Sequence, residues 1–314
     1  MNPRNVCLIG GSGFVGAHIA HLLSKQGIGV RVPTRRRERA KHLLVLPTVE
    51  VVEAQVHDPD QLDQLLTGMD AVINLAGILH GDFAATHIEL PRKIVAACQR
   101  NRVRRLVHMS ALHAGADAPS AYLRSKAAGE EIVCASGLLT TVFRPSVIFG
   151  EGDAFLNLFA DLSCLPILPL AKPDAKFQPV HVGDVAQAFV ACLNRPATFG
   201  QRFDVCGPRV YTLRQLVEYA AHLRGQRPLI VGLNDALSYL QALMMEYLPG
   251  KLMTRDNFYS MRQDSICSAD SCAKFAAAFR LRLTALETVA PAYLAGHTPR
   301  QRYFGFRSRT SKSR

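Results

Sequence analysis

The chain has 314 residues, with 37 Lys and Arg against 25 Asp and Glu, and a formal net charge of +12. Because 48% of the residues are hydrophobic and 20% are charged, the chain can bury a sizeable core, which excludes a globally disordered protein. At about 100–200 residues per domain, this length corresponds to one large domain or two closely joined ones.

Strand-length apolar runs alternate with helix-length amphipathic segments in the first half of the chain. Strands are predicted at 6–9, 30–32, 49–52, 71–75, 106–109 and 140–143, and helices at 14–26, 60–66, 86–100 and 121–136. The strands are almost entirely apolar, as in strands that are buried on both faces of a parallel sheet. The alternation predicts an α/β protein with a Rossmann-type, doubly wound parallel sheet.

The regular alternation weakens after Gly150, where prolines interrupt the chain. A strand is predicted at 202–205, a helix after the capping box that begins at Thr212, and a further helix at 236–248. We therefore expect a dinucleotide-binding domain over 1–150 and a smaller C-terminal substrate lobe over 151–297 that partly returns to the sheet. Residues 298–314 are expected to form a basic flexible tail.

A glycine-rich turn follows the first predicted strand and precedes the first predicted helix. Such glycines let the backbone turn tightly and approach a pyrophosphate, while the helix N-terminus supplies free N–H groups. The alternative is an ordinary Gly-rich turn, but the position after the first strand favours dinucleotide binding. The residues expected to bind the cofactor here are Gly10, Ser12, Gly13, Phe14, Val15 and Gly16.

The end of the second strand indicates which dinucleotide is bound. An NAD site usually has an Asp or Glu about 20 residues after the glycines, against the ribose 2′-hydroxyl. Here Arg35 and Arg36 stand in that region, and the first acid is Glu38. Because guanidinium groups suit a 2′-phosphate, we predict that NADP(H) is preferred over NAD(H). The alternative is a solvated basic helix start.

A second motif, Tyr122-Leu-Arg-Ser-Lys126, follows the fifth predicted strand. Residues four apart lie on one face of a helix, so the Lys126 ammonium is expected to lower the pKa of the Tyr122 phenol. A phenol with a lowered pKa can donate and accept a proton in catalysis.

Together the two motifs resemble the short-chain dehydrogenase/reductase superfamily, in its extended or atypical branch of epimerase- and dehydratase-like proteins. Three further segments carry the resemblance, namely 70–77 (DAVINLAG), 144–150 (RPSVIFG) and 178–186 (QPVHVGDVA). Within this branch, the stretches 122–130, 145–150 and 153–157 are similar to the NAD(P)H-binding accessory subunits of respiratory complex I and their bacterial relatives. The resemblance covers about residues 4–265.

The resemblance implies roles for specific residues. Tyr122 would exchange a proton with a substrate hydroxyl or carbonyl group, Lys126 would hold the nicotinamide ribose, and Ser110 would orient the substrate. The further cofactor-binding residues that it implies are Gln55, Val56, Leu75, Ala76, Gly77 and Pro145.

Two departures from the family pattern leave the function open. The position that usually assists the tyrosine holds Ala111, and Gln55 stands where the family has an Asp that meets the adenine. Tyr122 and Lys126 favour an oxidoreductase or an epimerase- or dehydratase-type enzyme on an unidentified small molecule. Ala111 favours a non-catalytic, nucleotide-stabilised assembly subunit or redox sensor of complex I-like machinery, which would have a protein partner. His80, His87, His108 and His113 have no partner at a readable spacing and are interpreted as satisfied or solvent-facing.

The remaining charge and the cysteines bear on location and partners. Six basic residues and no acid lie in the last fifteen positions, where they indicate either a solvated tail or contact with an anionic membrane surface. No nucleic-acid-binding signature is present, so no nucleic-acid partner is expected. The eight cysteines are scattered without zinc-ligand spacing, which predicts no metal and reduced thiols. With no signal peptide or membrane-spanning run, we expect a soluble cytoplasmic protein that could lie peripheral to the inner face of the membrane.

Overall fold

The computed structural model describes residues 3–247 and 253–295. The strands are β1 (Asn5–Ile9), β2 (Gly29–Thr34), β3 (Val49–Glu53), β4 (Ala71–Asn74), β5 (Arg105–Met109), β6 (Leu139–Pro145), β7 (Ile148–Phe149), β8 (Ile167–Ala171), β9 (Lys176–Phe177), β10 (Val180–His181), β11 (Gln201–Val205), β12 (Tyr211–Thr212) and β13 (Leu229–Leu233). The helices are α1 (Phe14–Lys25), α2 (Pro59–Leu66), α3 (Leu90–Arg100), α4 (Ala121–Cys134), α5 (Phe155–Leu162), α6 (Val182–Ala191), α7 (Leu213–Leu223), α8 (Asp235–Glu246), α9 (Arg255–Ser260), α10 (Ala269–Phe279) and α11 (Leu286–Leu294).

Seven strands form a parallel sheet in the order β3-β2-β1-β4-β5-β6-β11. Its centre is apolar on both faces. Cys7 and Ile9 of β1 pack with Leu62 and Ile94 from the flanking helices, and the intervening Leu8, on the opposite face, is fully buried. The prediction of a doubly wound parallel α/β sheet is confirmed.

The chain divides into two compact units. Within the described residues, 3–146, 182–206 and 267–282 form the first unit, which contains the whole seven-stranded sheet. The second unit consists of 147–181, 207–247, 253–266 and 283–295. Two segments of the expected second lobe therefore belong to the first unit, and one of them supplies β11. The domain limits at 150 and 297 stay predictions, and the expected tail, 298–314, lies outside the described residues.

The second unit contains three two-stranded sheets, which pair β7 with β10, β8 with β13, and β9 with β12. Its core joins Phe149 and Phe177 to the buried faces of α5, α7 and α11. The predicted capping box is present at the start of α7, where Thr212 and Gln215 each accept a hydrogen bond from the other's backbone N–H.

Helix α3 departs from its predicted form. The sequence predicts one helix over 86–100, but its first part, Ala84–Glu89, is a π-helical turn that precedes α3. At this turn the His87 carbonyl oxygen lies so close to Gly129 of α4 that a Cβ on Gly129 would overlap it. The π-helical turn before α3 thus packs closely against α4 at a glycine. Hydrophobic periodicity does not predict such a tertiary contact.

The expectation that all cysteines are reduced is wrong for two of them. Cys206 and Cys267 form a disulfide, although 61 residues separate them in sequence. Cys206 directly follows β11, and α10, which begins two residues after Cys267, packs against that strand through Phe279 and Phe203. Packing of α10 on the edge strand brings the two positions together. The other six cysteines are free.

None of the helices within 3–247 and 253–295 combines the length and the apolarity that crossing a bilayer requires.

Candidate functional site

The glycine-rich turn joins β1 to α1 in a tight loop. Gly10 has a φ of +80°, and the turn is closed by hydrogen bonds from Gly11 N to the Leu8 carbonyl and from Gly13 N to the Gly10 carbonyl. A Cβ on Gly16 would overlap the backbone of Gly10 and Gly11. Only glycine fits at Gly16, so the first turn of α1 can lie directly against the loop.

The N-terminus of α1 is left open toward this turn. Its N-cap, Gly13, is exposed and provides no side-chain hydrogen bond, and no acidic residue stands in the first turn. The first backbone N–H groups and the positive end of the helix dipole are therefore free to meet an anion. Ser12, Phe14 and Val15 are half-buried around this opening. The turn thus fits the pyrophosphate of a dinucleotide.

The two arginines expected at the cofactor ribose follow directly after β2. Both are exposed, and across the described parts of the chain neither guanidinium takes part in an ion pair or hydrogen bond. Thr34, the last residue of β2, holds the local backbone because its hydroxyl donates to the Arg36 carbonyl at 3.1 Å. The Arg35 and Arg36 side chains are therefore available to an external anion.

The segment after β3 runs beside the end of β2. Ala54 N donates to the Thr34 carbonyl, and Gln55 N donates to Gln61 Oε1 at 2.9 Å. Gln55 is exposed and Val56 is half-buried. Arg35 lies near enough to His57 to lower the pKa of its imidazole, after the larger effects of burial and Lys93. The predicted adenine and ribose residues therefore lie at the same edge of the sheet.

Leu75, Ala76 and Gly77 follow β4 and border the glycine turn. Leu75 N donates to the Ile9 carbonyl, and a Cβ on Gly10 would lie 3.1 Å from the Leu75 carbonyl carbon. Ala76 N donates to Asn74 Oδ1 at 3.1 Å. The segments after β1, β2, β3 and β4 are thus brought together at the carboxyl edge of the sheet, where α/β proteins bind dinucleotides.

Lys126 lies beneath this edge on α4. The residue is 4% exposed, and its ammonium donates to the carbonyl oxygens of Met109, at 3.0 Å, and Ala76, at 3.5 Å. These carbonyls lie at the ends of β5 and β4, so the lysine links both strands to α4. A Cβ on Gly77 would lie 3.1 Å from Nζ. Burial lowers the pKa of Lys126 to about 8.

Tyr122 stands one helical turn before Lys126. Burial raises the pKa of its phenol to about 12, so the expectation that the ammonium lowers this pKa is wrong for the protein alone. The cost of burying a phenolate outweighs the lysine, whose donors point to main-chain oxygens. Tyr122 therefore holds its proton at neutral pH, the form that a proton donor needs.

Ser110 and Ala111 occupy different surroundings. Ser110 is 2% exposed, and its Oγ has no hydrogen-bond partner among the described residues. Ala111 packs in one apolar cluster with Tyr122, Ala118 and Leu123. Ala111, which has no hydroxyl, is therefore the residue beside the tyrosine. Buried Pro145 lies at the end of β6, where its carbonyl accepts from Leu112 N.

His87, which the sequence predicts to be a satisfied or solvent-facing histidine, is buried and satisfied, but the sequence did not predict that it lies at the candidate site. Its Nε2 accepts a hydrogen bond from Ile78 N at 3.0 Å, which requires a neutral ring with the proton on Nδ1. Nδ1 then donates to Ser125 Oγ at 2.8 Å, and that hydroxyl donates to the Tyr122 carbonyl. The imidazole also meets the Tyr122 ring edge-on at 5.6 Å. His87 thus holds the turn of α4 that carries Tyr122, a role that only the tertiary structure shows.

A second buried imidazole lies on β5. His108 Nδ1 accepts from Asn74 Nδ2 at 3.1 Å, whereas its Nε2 has no partner among the described residues. Burial, and then the Lys126 charge, lower the pKa values of both His87 and His108 to about 3. Both rings therefore stay neutral, and Lys126 is the cation among these three groups.

These features define a dinucleotide-binding α/β protein with a tyrosine–lysine pair beside the cofactor edge. The chain belongs to the NAD(P)H-binding family, whose model matches residues 10–196. Solved structures with this fold include the NADPH-dependent quinone oxidoreductase of Escherichia coli in complex with NADPH. That structure aligns with a TM-score of 0.75 and 18% identity over 92% of this chain and 99% of that one.

Of two curated relatives, one is named as a subunit of complex I and the other as a reductase. The mitochondrial NADH dehydrogenase [ubiquinone] 1 alpha subcomplex subunit 9 of Dictyostelium discoideum is 31% identical over 67% of this chain and 61% of its own length. The ceramide reductase of Caulobacter vibrioides is 29% identical over 73% of this chain and 74% of its own length. The chain spans about three fifths of the length of the complex I relatives that it matches. Relatives of this NAD(P)H-binding protein thus include both named reductases and complex I subunits.

Proposed function

We propose that the protein is an NADP(H)-dependent oxidoreductase or epimerase of the short-chain dehydrogenase type, acting on a hydroxyl or carbonyl group. The observation that carries this proposal is the placement of Lys126. Its buried ammonium donates hydrogen bonds to the carbonyl oxygens at the end of β5 and just after β4, at the edge of the sheet where the N-terminus of α1 is open. Tyr122, which holds its proton, lies one helical turn earlier on α4.

The chain's own groups would perform the proton transfer. When bound, the reduced nicotinamide supplies a hydride. Tyr122 would give its proton to the substrate carbonyl oxygen as that oxygen gains negative charge, and it would recover the proton from solvent. The Lys126 ammonium would stabilise the phenolate that remains and bind the ribose hydroxyls. The Ser110 hydroxyl, which is buried without a protein partner in the described structure, would hydrogen-bond the substrate.

The preference for NADP(H) rests on Arg35 and Arg36. Both guanidinium groups are exposed and make no ion pair with the described residues, and the end of β2 has no acid, which suits a 2′-phosphate.

The second candidate function is a nucleotide-stabilised assembly subunit or redox sensor without turnover. The packing of Ala111 against Tyr122, where a hydroxyl would assist catalysis, favours it, as do the complex I subunits among the relatives. In this function the partner would be another protein of a respiratory assembly, and the protein would lie in the cytoplasm against the inner face of the membrane.

The Cys206–Cys267 disulfide weighs against a reducing compartment such as the cytoplasm. Blocking free thiols in intact cells and counting the blocked cysteines by mass spectrometry tests the location.

Turnover decides between the two functions. The protein is purified with its native ligand, which mass spectrometry identifies, and NADPH oxidation is then followed with a panel of ketones, quinones and nucleotide-sugars. Activity that is lost in Tyr122→Phe and retained in Tyr247→Phe, a change at an exposed phenol on the second unit, supports the enzyme. Tight nucleotide binding without turnover, and an unchanged cellular phenotype in Tyr122→Phe, supports the assembly subunit.

A further inference from the structure

A cavity of about 190 Å³ lies within the first unit, at the amino edge of the seven-stranded sheet. Arg102, Arg104, Arg105 and Asp70 supply its charged wall. Arg105 begins β5, and the Asp70 carboxylate accepts hydrogen bonds from Arg4 N and Asn5 N at the start of β1. The candidate cofactor site lies at the carboxyl ends of the same strands. The five residues of β1 separate the two edges by about 15 Å, so the cavity is distinct from that site.

Arg105 is a buried cation without an anionic partner. It is 2% exposed, and its guanidinium donates to three neutral oxygens, those of the Leu139 carbonyl, the Thr141 hydroxyl and the Cys192 carbonyl. The same group lies 4.5 Å from the centre of the Phe199 ring. Among the described residues no carboxylate pairs with Arg105, and its Nε–H has no hydrogen-bond partner. A buried charge is costly unless an opposite charge accompanies it.

The neighbouring arginines add to this uncompensated charge. Arg102 and Arg104 are exposed, and in the described structure neither makes a side-chain hydrogen bond or an ion pair. Arg102 has a φ of +59°, a left-handed conformation that favours Gly or Asn over Arg. The one acid, Asp70, is already engaged by two backbone N–H groups. Three positive charges and one negative charge leave a net charge of about +2 around the cavity.

We propose that this cavity binds a small dianion of the phosphate class, either free phosphate or the head of a phosphomonoester. Guanidinium groups match phosphate oxygens in charge and in paired hydrogen-bond geometry. The net charge of the wall is equal in magnitude and opposite in sign to that of a dianion. The volume lies below the roughly 300 Å³ at which drug-sized ligand pockets begin, and a phosphate group is correspondingly small. The bound anion would give Arg105 the counter-charge that the described chain does not provide.

The test is a calorimetric titration of the full chain with inorganic phosphate at pH 8, with ionic strength balanced by chloride. Arg105 cross-links β5 to β6 and its removal endangers folding, so the variant is Arg102→Ala with Arg104→Ala, both at exposed side chains. The matched control is Arg280→Ala, since Arg280 is also exposed and left-handed, in the same unit but outside the cavity wall. We expect phosphate binding that weakens at least tenfold in the double variant and is unchanged in the control. No binding by the parent protein at 10 mM phosphate, or equal binding by the double variant, overturns the proposal.

A second arm distinguishes the source of the phosphate. Phosphatidylcholine vesicles with and without phosphatidic acid are pelleted with the parent protein and with the double variant, both with the full tail. If the double variant loses the pelleting that depends on phosphatidic acid, the ligand is a lipid head group. Binding of free phosphate with no difference in pelleting assigns it to a soluble ligand. If phosphate bound instead at the candidate dinucleotide site, its affinity would not change in the double variant. Failure of the proposed cavity site is therefore distinguishable from failure of the proposed function.

Discussion

The Lys126 ammonium and the Met109 carbonyl oxygen are 3.0 Å apart, in a position where the lysine is almost fully shielded from water. This hydrogen bond fixes α4 to the carboxyl end of β5 and thereby sets where Tyr122 stands relative to the glycine turn. The same burial gives the lysine its lowered pKa. The position of Tyr122 and the lowered pKa of Lys126 therefore both follow from the burial of Lys126 between α4 and the sheet.

Lys126→Met is expected to remove a pH dependence from the free energy of unfolding and to weaken NADPH binding. The pKa of Lys126 falls from its ordinary value of 10.5 to about 8 on folding, so between these values the unfolded chain binds more protons. The free energy of unfolding should accordingly rise with pH across this window, by about 3 kcal/mol from this group. Urea unfolding between pH 7 and pH 10.5 measures it. If the free energy of unfolding of Lys126→Met rises equally with pH, Lys126 is not the group that causes the rise.

Gly13→Asp separates helix stability from nucleotide binding. Gly13 caps α1 with an extended backbone that any residue can adopt, and an Asp there would cap the helix and add roughly a few tenths of a kcal/mol to the free energy of unfolding. Its carboxylate would also repel a pyrophosphate. We expect a protein that is at least as stable but has lost NADPH binding. Gly13→Ser, which adds the same Cβ without the charge, is the control and should retain most of the affinity.

Much of the first unit could be predicted from sequence. The apolar runs of β1, β4 and β5 and the glycine turn are local signals that tertiary packing did not override. The start of α2 is another, because the Asp58 carboxylate accepts from the backbone N–H groups of Asp60 and Gln61. The elevated pKa of Tyr122 could not be predicted, because it depends on what α4 packs against. The same limit applies to the role of His87 and to the Cys206–Cys267 bond, each of which joins positions more than thirty residues apart.

Arg35→Asp is expected to reverse the cofactor preference. The parent protein should bind NADPH at least tenfold more tightly than NADH, which corresponds to about 1.4 kcal/mol and is modest for a charge-assisted phosphate contact. An aspartate would repel the 2′-phosphate and accept a hydrogen bond from the 2′-hydroxyl. Arg39→Asp, the same change at an exposed arginine four residues further along the chain, is the control. Equal affinities for the two cofactors in the parent protein, measured by calorimetry, would refute the preference.

Tyr122→Phe should abolish NADPH oxidation with the true substrate and leave NADPH affinity nearly unchanged. The phenolic proton is needed only as the substrate oxygen gains charge, whereas the glycine turn and Lys126 hold the cofactor. Steady-state rates and calorimetric titration on the same preparation separate the two effects. A variant that turns over at the parent rate would remove Tyr122 from the chemistry.

The basic tail is expected to bind anionic membranes. Residues 300–314 carry six positive charges, no acid, and the aromatic residues Tyr303, Phe304 and Phe306. Near an anionic leaflet each Lys or Arg contributes about 1 kcal/mol, and aromatic side chains that insert into the interface add to this. Binding to phosphatidylserine vesicles should therefore weaken as salt rises, because screening shortens the reach of the surface potential. Truncation after Pro299 should abolish the binding, and replacing the six basic residues with glutamine in the full-length chain should do the same while keeping the aromatics. Equal pelleting of the full-length and truncated proteins at low salt would show that the tail is no membrane anchor.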